Sequence, residues 1–245
     1  MFCDTHCHIL SEYYDDINAI LEESKEAGVS RVINAGYNYE SSKEVIELVK
    51  KYPEMYGVVG LHPENISEDF DYTIFDDLDK KIVGIGEIGL DYHYTKDNKD
   101  KQIEVFERQL DIAEKLNLPV VIHSREAAGD TLEILKKHHN FGVIHSFSGS
   151  LEMAKEYIKL GFVLGVNGVV TFKNCNLGDT LKNIDINSII LETDSPYLTP
   201  VPFRGTQNNP AKMINTAKFV ADIYGVSLEE LAKITNQNIK RIFDI

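Results

Sequence analysis

The sequence predicts an α/β fold: a single TIM barrel, (β/α)8, over residues 1–245, with an extra C-terminal helix. Three observations carry that prediction. Apolar, β-branched runs alternate with helix-patterned stretches along the chain, which implies a parallel sheet. The runs are nearly continuous in Val and Ile, so both faces of the sheet are buried. The chain is 245 residues long and 43% hydrophobic, enough for one sizeable core, and no linker or low-complexity tract divides it. A closed barrel is the economical solution, and an open doubly wound sheet is the alternative.

The elements follow in order. Strands are expected at Phe2–His8, Arg31–Gly36, Met55–His62, Ile82–Ile88, Pro119–Ser124, Phe141–Phe147, Gly161–Val166 and Ser188–Asp194. Helices are expected between them at Ile17–Ala27, Ser41–Lys51, Tyr72–Lys80, Lys99–Leu116, Asp130–His138, Leu151–Leu160 and Gly178–Ile184. Two more, Ala211–Tyr224 and Leu228–Phe243, follow the last strand.

Barrel active sites lie at the C-terminal ends of the strands. Six of the eight expected strands end there in a histidine or a carboxylate: His6 and His8, His62, Glu87, His123, His145 and Asp194. His6 and His8 stand two residues apart, and in a strand such side chains share a face. They can reach one ion together. Four histidines, Glu87 and Asp194 suit two hard-to-borderline divalent ions, such as zinc, magnesium or manganese. On this reading His6, His8 and Asp194 complete one ion, His123 and His145 the other, and Glu87 bridges them. Two such ions clamp an attacked group and activate water. Asp194 can bind metal and also accept the water's proton.

The formal net charge of −14 excludes a broad basic surface for duplex nucleic acid. A local positive site remains open, because two divalent cations outweigh two carboxylate ligands. No apolar run is long enough for a membrane span, and Met1 leads straight into the first strand, leaving no room for a signal peptide. Cys3, Cys7 and Cys175 form no disulfide framework, which fits a reducing, cytoplasmic location. Strand parity puts Cys3 and Cys7 on the face opposite His6 and His8.

Five motifs carry a family resemblance. His6-Cys7-His8, Gly86–Tyr92, Ile122–Glu126, His145–Gly149 and Glu192–Leu198 are similar to the signatures of the TatD family. These are metal-dependent deoxyribonucleases of the amidohydrolase superfamily. The resemblance runs from residue 3 to about residue 210, with the motifs in the right order. It implies a (β/α)8 fold, divalent metal and hydrolysis of DNA phosphodiesters, in many relatives from the 3′ end. Single-stranded DNA or DNA ends are the implied substrate. It also implies ligand roles for His6, His8, Glu87, His123, His145 and Asp194. The sequence departs from the family where Glu64 follows His62-Pro63 and where Phe203 precedes Arg204-Gly205; relatives often have histidine at both places.

Other residues are weighed by chemistry. His62 suits a contact to the substrate phosphate or leaving group, since the ligand set is already full. Arg125 and Arg204 suit phosphate, because a guanidinium pairs bidentately with phosphate oxygens. Glu192 shares parity with Asp194 and should point inward, where an unpaired carboxylate is costly; a hydrogen bond to a ligand is expected. Asp91 is either a loop-ordering or a substrate-contacting residue. His93 reads as an exposed loop residue, and Lys136–His139 as a solvated helix end. Gly84-x-Gly86 lacks a third glycine and a following helix, so it is not a dinucleotide site. The competing function is an amidohydrolase-type attack on a carbonyl centre, such as a lactone, amide or aminoacyl ester. Many binuclear relatives of that kind use a carbamylated lysine as the bridge, and Glu87 stands at that strand instead.

Overall fold

The computed structural model describes residues 1–67, 69–93 and 97–245. Eight strands form one sheet: β1 (Phe2–Cys7), β2 (Val29–Ala35), β3 (Met55–Val59), β4 (Ile82–Asp91), β5 (Val120–Arg125), β6 (Gly142–Ile144), β7 (Phe162–Val166) and β8 (Ile189–Leu191). Neighbouring strands pair in parallel, in the order β1 to β8 without reversal. A doubly wound sheet would reverse its strand order, so that alternative is excluded. The barrel closes between β8 and β1. There His8 N donates to Ser195 O at 2.7 Å and Asp194 N to His6 O at 2.9 Å.

The helices are α1 (Ile17–Glu26), α2 (Tyr39–Lys51), α3 (Lys99–Leu116), α4 (Ala128–Leu135), α5 (Leu151–Lys159), α6 (Leu177–Leu181), α7 (Met213–Tyr224) and α8 (Leu228–Phe243). Local chemistry sets their ends. Asp16, Ser150 and Ser227 cap the first turns of α1, α5 and α8, and Asn38 forms a capping box with Ser41 at α2. The helix expected over Tyr72–Lys80 is a single 3-10 turn, Tyr72–Phe75. Asp79 accounts for the difference: its side chain accepts from Lys81 N at 2.9 Å, an Asx turn that competes with a helix.

Two apolar layers result. Inside the barrel, Cys3, Ile33, Val58, Val83, Val121, Val143, Val163 and Ile190 pack together. Ile239, Ile242 and Phe243 of α8 join this cluster, so the extra helix plugs the end of the barrel away from the site. Outside, residues such as Val59, Ile85, Ile88, Ile122 and Leu164 pack against the helix ring. Cys7 belongs to this outer layer and Cys3 to the inner one. The expectation that both cysteines share one face is therefore corrected. A register shift in β1 between Asp4 and Cys7 breaks the alternation.

Candidate metal centre

The seven strand-end side chains converge at one mouth of the barrel. His6 and His8 are brought there by β1 and both are buried. Their Nε2 atoms lie 3.3 Å apart. His6 Nε2 stands 3.3 Å from Glu87 Oε2 and 3.8 Å from Asp194 Oδ1. His8 Nε2 stands 3.8 Å from Glu87 Oε2 and 3.6 Å from Asp194 Oδ1. Ligands about 2.1 Å from a tetrahedral ion are about 3.4 Å from one another. His6, His8 and Glu87 are thus spaced as ligands to one ion, with Asp194 Oδ1 close to both histidines.

Glu87 turns its other oxygen to a second group. His123 Nδ1 is 2.8 Å from Glu87 Oε1, His62 Nε2 is 3.6 Å and His145 Nε2 is 3.8 Å from the same atom. The carboxylate is shared between the two sets. His145 stands between them: it stacks on His6 at 3.6 Å and its Nε2 is 3.3 Å from Asp194 Oδ1. In three overlapping groups the donor atoms lie close enough together for one ion: His6, His8 and Glu87; His6, His145 and Asp194; His62, Glu87 and His123.

Hydrogen bonds on the far side of the His8 and His123 rings fix which nitrogen faces the mouth. His8 Nδ1 donates to Ala35 O at 2.9 Å, which leaves the Nε2 lone pair for metal. Glu192 Oε1 lies 3.0 Å from His145 Nδ1, but the geometry makes no hydrogen bond, so the bond expected of this carboxylate is not formed and its charge alone favours a proton on Nδ1. Glu192 accepts from Ser146 N at 2.6 Å. Gly165 on β7 makes room for it: a Cβ at that position would lie 2.3 Å from Glu192 Oε2. His123 Nε2 contacts Asp91 Oδ2 at 2.9 Å, so Nδ1 is free to face the centre. His62 is the exception. Its Nδ1 accepts from Glu64 N at 3.2 Å, which places the proton on Nε2. Its site-facing atom is a donor and suits an anion better than a cation. Among the described residues, His6 Nδ1 and His145 Nδ1 are both buried with no hydrogen-bond partner.

Electrostatics follow from this packing. Burial alone would raise Glu87, but His62, His145 and His6 hold it well below the ordinary carboxylate range. Asp194 is depressed against burial too, chiefly by His145. Burial and the neighbouring His145 lower His6. Burial and His123 bring His62 down to about 3. Burial opposes protonation of His123, but Asp91 and Glu87 outweigh it and lift it to about 9. His145 is raised well above its usual value against burial, by Glu192, Glu87 and Asp194. Neutral imidazoles and ionised carboxylates are what a divalent ion needs, so protons and metal compete for the same atoms. A donor set of imidazoles and carboxylates suits a divalent metal ion.

Two residues were not assigned to the site from sequence. Asp4 is fully buried beneath the ligands. Its Oδ1 accepts from Thr193 N at 2.9 Å and from His6 N at 3.2 Å, and its Oδ2 accepts from Thr193 Oγ1 at 2.5 Å. It ties β1 to the strand that leads to Asp194. Asp91, left undecided from sequence, orients His123; it shares strand parity with Glu87, and that signal was available. The remaining expectations fall as follows. Arg125 ends β5 on the exposed rim. Arg204 lies on the exposed loop after β8, its guanidinium 3.7 Å from the Phe172 ring. His93 is exposed and pairs with Glu126 at 2.7 Å.

A barrel with such a centre at its strand ends is a metal-dependent hydrolase. The sequence profile described as "TatD related DNase" matches residues 3–244, and the chain belongs to the TatD family. It is 38% identical to the uncharacterized metal-dependent hydrolase YabD of Bacillus subtilis, covering 100% of each chain. It is 34% identical to YcfH of Escherichia coli, also described as an uncharacterized metal-dependent hydrolase, over 99% of this chain and 95% of that one. Its fold matches the crystal structure of YjjV, a TatD homologue from Escherichia coli, with a TM-score of 0.93 at 29% identity, covering 100% of this chain and 98% of the other. Among the described residues, no helix is long and apolar enough to cross a membrane.

Proposed function

We propose that this chain is a deoxyribonuclease. It hydrolyses DNA phosphodiester bonds, removing nucleotides from the 3′ ends of single strands in the cytoplasm, with two divalent ions. The observation that carries this reading is the division of Glu87: Oε2 faces His6 at 3.3 Å while Oε1 faces His123 at 2.8 Å. A carboxylate bridge, rather than a modified lysine, favours phosphoester over carbonyl chemistry. When bound, the ions supply Lewis acidity and lower the pKa of water.

The chain's own residues do the rest. Asp194, held ionised, takes the proton of the attacking water. Glu192 sets its negative charge beside His145 Nδ1 and so favours a proton there. His62 offers its Nε2–H to a phosphate oxygen or to the departing hydroxyl. Arg125 and Arg204 pair with phosphates beside the scissile bond.

The loop bearing Arg204 is built for this. Pro200 and Pro202 flank Val201 and fix φ, Phe203 N donates to Pro200 O at 2.8 Å, and Gly205 turns at φ +85°. The test assays metal-replete protein in parallel on end-labelled single-stranded DNA and on a panel of esters, lactones and amides. Stepwise shortening of the strand supports the reading. Turnover of a carbonyl substrate with the strand left intact would replace it with the amidohydrolase alternative.

A further inference from the structure

The loop after β8 exposes apolar surface at the barrel mouth. Tyr197 is 51% exposed, Val201 46% and Phe203 44%. Tyr197 is nonetheless firmly held. Its N–H donates to Asp194 O at 2.8 Å, and its carbonyl accepts from Asn208 Nδ2 at 2.6 Å. Its hydroxyl donates to Tyr13 Oη at 3.1 Å, which stands 3.3 Å from Tyr37 Oη, and Tyr37 donates to the Glu12 carboxylate. Tyr13 packs edge-on to Tyr197 with centroids 5.9 Å apart. The His8 ring is 6.5 Å from Tyr197, also edge-on. The result is a rigid aromatic ring, one ring away from a histidine of the metal centre, half open to solvent.

Such a surface serves an aromatic ligand. A planar base gains from stacking on a preorganised ring, with little side-chain entropy lost. Charge fixes which part of a nucleotide goes there. Glu12 stands at the end of the hydroxyl chain, and Glu44 accepts from Ser11 N at 2.7 Å on the same side. These carboxylates repel phosphate but tolerate a neutral base.

We propose that Tyr197 is the stacking platform for the nucleobase of the nucleotide next to the scissile phosphate. This rests on the nuclease reading and adds to it a base subsite on the His8 side of the mouth. It follows that the enzyme senses the presence of a base and not its identity, since every base has a face to stack.

The experiment compares a short single strand with the same strand carrying an abasic residue at its 3′ end. The measured quantity is the ratio of kcat/KM between the two, for wild type, Tyr197→Ala and Tyr197→Phe. Wild type should favour the intact strand by roughly 5- to 150-fold, the span of base–aromatic stacking. Tyr197→Ala should bring the ratio close to one, and Tyr197→Phe should keep most of it. A non-hydrolysable strand with 2-aminopurine at that position gives a second readout. Its fluorescence should be quenched on binding to wild type and Tyr197→Phe, and not on binding to Tyr197→Ala. Metal content measured alongside separates a lost platform from a displaced Asp194.

A wild type that treats both strands alike, or a Tyr197→Ala protein with unchanged preference and normal metal content, would overturn the inference. A wild type that neither binds nor cleaves either strand would overturn the nuclease reading itself, and the inference with it.

Discussion

Single side chains decide whether this mouth holds metal or protons. Asp194 is half-buried beside three histidines and adopts φ +56°, a left-handed conformation unusual for a residue other than glycine. Asp194→Asn keeps the shape but loses the negative charge and the base. We expect kcat to fall by roughly 10²–10⁴-fold with the circular dichroism unchanged; a loss of only a few-fold would contradict the role. Glu192 and Gly165 form a pair. Glu192→Gln weakens the hold on His145, and Gly165→Ala forces the carboxylate away, because the new Cβ would meet Glu192 Oε2 at 2.3 Å. Both variants should bind metal roughly 10–100-fold more weakly, read by competition with a chelating dye. Wild-type affinity in both would remove Glu192 from the support of the centre.

Elements carry the centre because six of the eight strands each deliver one or two groups to the same rim. This was legible in the sequence: six apolar runs ended in His, Glu or Asp, and barrel strands end at the site. Period-two alternation also placed His6 and His8 together. Asp4 was hidden, because it shares nominal parity with both while a register shift in β1 intervenes. The same shift misplaced Cys3. The short strands β6 and β8, three residues each, leave His145 and Asp194 just beyond regular structure, where periodicity gives no side-chain direction. The tautomer of His62 depends on a backbone N–H two residues on, which no residue pattern encodes. The β8–β1 seam is the element-scale claim to test. Asp4→Ala removes the acceptor for two buried backbone N–H groups and one hydroxyl. Thr193 keeps other acceptors in His6 O and Ser195 Oγ, so the loss is mainly that of the His6 N–H acceptor, and unfolding stability in denaturant should fall by about 1–3 kcal/mol. A change below about 0.5 kcal/mol would show that the seam closes without it.

At the scale of the molecule, metal and pH are linked. Without metal, His123 is raised from its ordinary value of 6.5 to about 9, against burial, by Asp91 and Glu87. A raised histidine contributes stability that is fully present below pH 6.5 and is lost as pH climbs through about 9. Asp4 acts in the same direction: burial pushes it from 3.8 up to about 7, so its neutral form is favoured at low pH and that advantage fades as it ionises. Chelated protein should therefore melt at lower temperature as pH rises from 6.5 to 9. Metal-loaded protein should gain relative to it over the same range, because ligands must shed protons to bind. Calorimetric titration in buffers of different ionisation enthalpy should register proton release on metal uptake. Equal pH profiles with and without metal would break the linkage.

The central claim is that one carboxylate, Glu87, joins two sets of ligands into one centre. Elemental analysis of wild type and Glu87→Ala, purified without chelator and then titrated with zinc or manganese, tests it most directly. The account predicts about two ions per wild-type chain and the loss of both in Glu87→Ala, with His123→Ala losing mainly one. A wild type that takes up no metal, or a Glu87→Ala protein that keeps full metal content and activity, would contradict it.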